Sequence, residues 1–170
     1  MGILKKIFGI DTDSENSNAD NDSLDVKSFD LNSLADIDIR KAKESIKKQR
    51  KKNLKKFDAN YEKAKKLIQK GRSDEAQELT SKDVLGYHKT FAKAQSLEKE
   101  ENLKEAAIIY WFNIYENGTD APANFNRLLI ILRKLKLYKA ELSIALIFSD
   151  FVKNKNKGKL DRRINTIKNK

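Results

Sequence analysis

Residues 103–152, LKEAAIIYWFNIYENGTDAPANFNRLLIILRKLKLYKAELSIALIFSDFV, decide the fold, because they hold the only Trp, the only Pro and the densest apolar positions of a 170-residue chain. Leu103 recurs as Leu137 and Ala106 as Ala140, each 34 positions on. A fixed offset of that size is the period of a helix-turn-helix repeat. Asn102 and Glu105 have capping-box spacing and predict a helix over 103–116. Asn117 and Gly118 supply the left-handed turn that stops it. Asp120 is the expected cap of the next helix, with Pro122 in its first turn, where a missing N–H costs nothing. That helix extends to about Leu135, and a final one covers about 138–153.

Upstream the pattern stays helical and turns basic. Ala42, Ile46, Leu54, Phe57, Tyr61, Ala64 and Ile68 recur at three- and four-residue spacing with no Gly or Pro between them, which predicts one long helix from about Asp38 to Lys70. Within it, residues 47–56 have Leu54 as their one apolar anchor and are expected to stand clear of the core. Gly71 caps the helix, and Ser73 is positioned to open a short one, SDEAQELT, that closes at Ser81. A new helix then runs from about Lys82 to Lys99, with Leu85, Phe91, Ala94 and Leu97 inward.

Before this body, residues 11–31 are acidic and rich in Ser and Asn, so they cannot bury enough surface to offset their ordering entropy and read as a disordered linker. Residues 1–10 form a short amphipathic segment, with Ile3, Leu4, Ile7 and Phe8 on one side and Lys5 and Lys6 on the other. Such a segment is a candidate contact with an anionic membrane surface. No run approaches the ~20 apolar residues of a membrane span. The expected location is the cytoplasm, with the inner face of the membrane as the alternative.

The net charge of +11 is unevenly spread. Residues 1–40 carry 9 acidic and 4 basic side chains, residues 41–82 carry 6 and 15, residues 83–152 carry 9 of each, and residues 153–170 carry 1 and 8. An anionic partner would therefore meet the flanks and not the repeat. Lys47, Lys48, Arg50, Lys51, Lys52, Lys55 and Lys56, with Arg162 and Arg163 in the partly helical tail 154–170, are the candidate anion-binding residues. Lysine-rich helices without interleaved aromatics neutralise phosphates without reading bases, so nucleic-acid binding through them would be sequence-independent.

Ala94, Leu97, Ala106 and Tyr110, led by Phe91, and then Phe125, Leu128, Ile131, Ala140 and Ile144 at the same offset, resemble a tetratricopeptide repeat. A shortened copy lies upstream at Ala64, Leu67, Gly71 and Ala76. The stretch from Glu116 to Glu141 also resembles a repeat found in uncharacterised bacterial proteins. The family's early Trp and Leu-Gly pair is not matched, and Leu128 stands where a small residue is usual. The resemblance covers about residues 57–153 and implies an all-α fold: a short right-handed stack of antiparallel helix hairpins, an α-solenoid, preceded here by a basic helix over 32–56.

The chain has no Cys, no Gly-rich phosphate loop, no HExxH and one His, which together point away from an enzyme and from any cofactor or metal. His88 reads as a packing or surface residue, and the group Glu98, Glu100, Glu101 and Glu105 as helix-start electrostatics on an exposed turn. One helix face cannot bury Tyr110, Trp111, Phe112 and Tyr115 together, so about two of them are expected to face outward or into a groove, the other reading being that they pack in the core and against a neighbouring helix. Aromatics give large contact area at low entropy cost. The expected function is therefore a non-enzymatic interaction module whose groove binds a protein segment or a second copy, with Tyr87, Trp111, Tyr115 and Arg127 as candidate partner-binding residues.

Overall fold

A computed structural model describes residues 29–169, with the side chains of residues 82–87 and of Lys155 excepted. The described chain is all-α: a 3-10 helix Leu31–Asp36, then α1 Ile39–Gln69, α2 Ser73–Lys99, α3 Leu103–Tyr115, α4 Pro122–Lys134, α5 Tyr138–Phe148 and α6 Asn154–Lys168. Each α-helix packs against the next one in sequence, and the 3-10 helix packs against α5 and α3. The amphipathic segment with Ile3, Leu4, Ile7 and Phe8, and the acidic linker as far as residue 28, lie outside the described residues.

Three of the connections are built alike. After α1, α2 and α4 the chain takes a left-handed residue, Gly71 (φ 72°), Glu101 (φ 62°) and Lys136 (φ 60°). The N–H of the following residue then donates back to a leucine carbonyl five positions earlier: Arg72 to Leu67 at 2.9 Å, Asn102 to Leu97 at 2.8 Å, Leu137 to Leu132 at 2.9 Å. This is the Schellman closure, which satisfies carbonyls the helix end leaves open. Helices α3 and α5 start at Leu103 and Tyr138, 35 residues apart (138 − 103), so the turns run one residue off the 34-residue sequence offset. Ala106 and Ala140 are therefore the fourth and third residues of their helices. Both are nevertheless buried, because both helices are covered on nearly every side.

That covering corrects the expectation for the aromatics. Helix α3 is contacted by α2, α4, α1 and the 3-10 helix, and α5 by α4, α6, α1 and the 3-10 helix. Tyr110 and Trp111 are buried, while Phe112 and Tyr115 are partly covered. Trp111 stacks on Tyr115 at 5.1 Å, Phe91 meets Tyr110 edge-on at 5.6 Å, and Phe125 stacks on Phe148 at 4.5 Å. A helix enclosed by four neighbours has no single inward face, so four aromatics fit on it.

Two boundaries also differ. Helix α2 runs unbroken through Ser81, where a stop was expected. No Gly or Pro interrupts residues 78–84, and the hydroxyls there do not cap. Thr80 Oγ1 donates to the Ala76 carbonyl at 3.0 Å and Ser81 Oγ to the Glu78 carbonyl at 3.2 Å, bonding back onto the helix. Ser73 is the first helical residue rather than the cap. Asn102 makes no side-chain cap bond, and Asp120 is not the cap of α4; its carboxylate is 2.8 Å from Arg50 of α1.

The docking of α1 gives the molecule its shape. At 31 residues α1 is about 46 Å long. Its first half lies over α3 and α5, burying Ala42 and Ile46, and belongs to the main core. Its second half pairs with the start of α2 through Ala64 and Ala76, which are buried but stand apart from that core. The second half of α1 and the start of α2 thus form an arm beyond the body of the domain.

Candidate interaction surface

Two carboxylates and one turn hold the first half of α1 in place. Asp150 accepts from Lys43 at 2.6 Å and from Lys47 at 2.8 Å, and Lys47 Nζ lies 5.9 Å from the Phe151 ring centroid. Arg50 reaches Asp120, and Asn53 Nδ2 donates to the Asn117 carbonyl at 2.8 Å. Asn117 in turn donates to Asn113, which is fully buried and bonded to Thr90 of α2 and Asn124 of α4. The docking of α1 is therefore wired into the polar node that joins α2, α3 and α4.

The bonds from Lys43 and Lys47 hold the Asp150 carboxyl below its ordinary value. A carboxylate depressed in the folded state stabilises it above the unfolded pKa, and that contribution is lost as pH falls through the folded value. The affected window is below about pH 4. Because the pair is partly exposed, the expected loss is on the order of 0.5–1 kcal/mol. Urea midpoints for wild type and Asp150→Asn should differ at pH 7 and converge near pH 3; a gap that persists at low pH would show that Asp150 acts through something other than its charge.

The face of α1 that carries these contacts continues past the domain edge. Lys43, Lys47 and Arg50 are followed at the same alternation of three and four by Leu54, Phe57, Tyr61 and, two turns on, Ile68. Beyond Asn53 the side chains are exposed: Leu54 50%, Phe57 39%, Tyr61 50% and Ile68 58%. Phe57 stacks on Tyr61 at 6.4 Å and Lys65 Nζ sits 4.7 Å over the Tyr61 ring, so the stripe is a pre-stacked row. Sequence spacing groups these residues with Ala42, Ile46 and Ala64 as one apolar face. In the folded chain they divide into a buried line and an exposed line beside it.

The opposite side of α1 is a lysine ridge. Lys41, Lys48, Lys52, Lys55, Lys63 and Lys66 are exposed and lie away from the buried alanines. Of the candidate anion-binding residues, Lys51 and Lys56 are exposed as well, whereas Lys47 and Arg50 are engaged by the domain. In α6, Arg162 is exposed and donates to the Gly158 carbonyl. Arg163 instead binds Glu141, which is fully buried: its Nε donates to Oε1 at 2.8 Å. Arg133 donates from Nε to Oε2 at 3.2 Å and places Nη2 2.9 Å from Oε1, within ion-pair distance but without hydrogen-bond alignment. This triad ties α4, α5 and α6 together. The amphipathic face expected of the tail is present, with Leu160, Ile164 and Ile167 buried.

The candidate partner-binding residues do not line an open groove together. Trp111 is 4% exposed and Tyr115 leans on it. Arg127 grips Glu98 with Nε at 2.9 Å and Nη2 at 2.7 Å, and the Tyr110 hydroxyl donates to the same carboxylate at 3.4 Å. Glu98 is thus enclosed rather than on an exposed turn, while Glu100, Glu101 and Glu105 are exposed. Burial, with the Glu98 charge beside it, pushes the Tyr110 phenol up from its ordinary value. His88 is exposed, and the side chain of Tyr87 lies outside the described residues.

An open cleft of about 530 Å³ runs between Phe29 and Leu31 on one side and Ile108, Leu135 and Leu137 on the other. Among the described residues, no group of three His, Cys, Asp or Glu side chains is placed to hold a metal, and no helix is long and apolar enough to cross a membrane. No protein-family model, curated protein or solved structure matches the chain.

Proposed function

We propose that the chain is a non-enzymatic protein-interaction module, a tetratricopeptide-like helical stack that binds through the exposed stripe of α1. The observation that carries this reading is the concentration of four large apolar side chains, 39% to 58% exposed, within residues 54–68. Contiguous apolar surface flanked by polar groups marks interaction sites in soluble proteins. The three matching turns and the contact of each helix with its successor support the repeat-like stack. The contacts of α1 with α3 and α5 depart from it, because a solenoid unit touches only its neighbours.

The double variant Leu54→Glu, Phe57→Glu should keep the helical circular-dichroism signal and lose the protein association that the wild-type chain makes, read by affinity purification with quantitative mass spectrometry. Equal recovery by both chains removes the stripe from the reading. The lysine ridge favours a second reading, non-specific contact with nucleic acid. Electrophoretic mobility shifts should then be strong at ~50 mM salt and fall steeply by ~200 mM.

A further inference from the structure

We infer that the lysine ridge of α1 is a track for the backbone of a single-stranded nucleic acid, on the side of the helix away from the stripe. This rests on the ridge binding nucleic acid at all, and adds which form it takes, how many phosphates it meets and that the stripe stays free. The carrying observation is how straight and how purely basic the ridge is. Lys48, Lys52, Lys55, Lys63, Lys66 and, just past the helix end, Lys70 are all exposed, with Ala59 in the one wide gap between them. At 100° per residue they fall within about 80° of the helix circumference, and they span about 33 Å of its length. No acidic side chain lies in that strip, and among the described residues no carboxylate pairs with any of the six.

Other cations of α1 have an answer within the fold. Lys43 and Lys47 take Asp150, Arg50 takes Asp120 and Lys65 takes Glu62. The ridge is where the chain supplies no counter-charge. Residues 51–70 carry eight Lys against Asp58 and Glu62, so the field along the arm is positive throughout. The complement of such a line is a polyanion with evenly placed charges, which gains affinity by releasing the counterions that the lysines replace.

The shape of the ridge selects the single strand. A duplex backbone winds once about its axis in roughly 34–36 Å, so each of its strands crosses a straight line of that length about once. Most of the six lysines would then lie over a groove. A flexible single strand can instead run along all of them. A lipid bilayer rewards apolar burial as well as charge, and the ridge holds no apolar side chain larger than Ala59. It holds no aromatic ring either, so it neutralises phosphates without stacking bases. On the same angular scale the four apolar residues of the stripe lie about 100–180° from the ridge lysines. A protein on the stripe and a strand on the ridge can therefore be held at once.

The test uses the full chain and a fluorescein-labelled strand of about 20 thymidines, longer than the ~4–16 nucleotides that one small module covers, read by anisotropy. Affinity should fall about 300-fold from ~50 to ~200 mM salt, the log–log slope of roughly −4 that six contacts on a single strand give. Lys52→Gln, Lys55→Gln and Lys63→Gln together should halve that slope to about −2 with circular dichroism unchanged. Lys93→Gln, Lys104→Gln and Lys139→Gln, which remove as much charge from α2, α3 and α5, should leave it as it is. An equal effect of both triple variants would mean that overall charge binds the strand, and the ridge falls. Phe57→Ser with Tyr61→Ser should change affinity less than about twofold, since no base stacks on the ridge; a large loss would overturn the separation of ridge from stripe. A duplex of the same length should bind at least ~tenfold more weakly. Duplex binding as tight as that of the strand overturns the single strand while the ridge keeps nucleic acid as its partner. If neither binds at ~50 mM salt, nucleic acid falls as a partner altogether. Polyglutamate or phosphatidylglycerol vesicles bound as tightly as the strand, and lost in the ridge variant, would overturn nucleic acid as the occupant.

Discussion

Gly118→Ala should displace the first half of α1 and cost about 3 kcal/mol or more of stability, a fall in Tm of roughly 6–12 °C for a chain of this size. A Cβ at Gly118 would lie 2.4 Å from the backbone nitrogen of Arg50 and 2.8 Å from its Cα. Backbone atoms in mid-helix cannot swing aside as a side-chain tip can. The residue also sits at φ +60°, where a Cβ costs about 1–2 kcal/mol in strain by itself. Gly71 provides the control, since it has φ +72° and nothing within 4 Å of its would-be Cβ. Gly71→Ala should therefore show the strain alone, about 1–2 kcal/mol. Urea denaturation of both variants, with amide exchange across residues 40–52, separates the two effects. If Gly118→Ala costs no more than Gly71→Ala, the close approach of α1 to this turn is not holding it.

Glu141→Ala should cost about 3–5 kcal/mol, because it leaves the guanidiniums of Arg133 and Arg163 facing each other without their counter-charge. The carboxylate is fully buried, while the Arg133 and Arg163 side chains are 37% and 22% exposed, so water answers the two cations only in part and the loss falls toward the lower end of that range. Arg163→Met should cost less, about 1.5–3 kcal/mol, since Arg133 still answers the carboxylate. The triple replacement Glu141→Leu, Arg133→Met, Arg163→Met should recover most of the loss, as apolar substitutes for a buried ion triad can. Proteolysis in the connection 149–153 reports whether α6 has left α5. A Glu141→Ala chain as stable as wild type would mean that the apolar face of α6 holds it without the triad.

The sequence makes the backbone more legible than the side-chain partnerships. Uninterrupted periodicity from Ala42 to Ile68 marks α1, Gly71 and Gly118 mark left-handed turns, and Pro122 marks the start of α4. Each of these signals acts within a few residues. Asp120 has the local pattern of a cap, a carboxylate before Pro122, but Arg50, distant in sequence, takes it instead. Arg127, a candidate partner-binding residue, and Arg163, a candidate anion-binding residue, are engaged in the same way, since Glu98 and Glu141 reach them only after helices pack. The apolar list of α1 could not be divided in advance, because which of its members are covered depends on where the domain ends. Four elements surround α3, so Tyr110 and Trp111 are both buried and Phe112 and Tyr115 partly covered, an enclosure that the spacing along one helix does not show.

The seat of α1 is also late in time. Lys43 and Asp150, which pin the helix, are 107 residues apart in the chain. At a synthesis rate of about 5–20 residues per second, Asp150 emerges roughly 5–20 s after Lys43. Through that interval Ala42 and Ile46 have no completed domain to rest against, and the apolar stripe of α1 is exposed beside them. Repulsion between densely placed lysines is then what keeps neighbouring nascent chains apart, so the charge of α1 guards the chain during synthesis before it does anything in the finished fold.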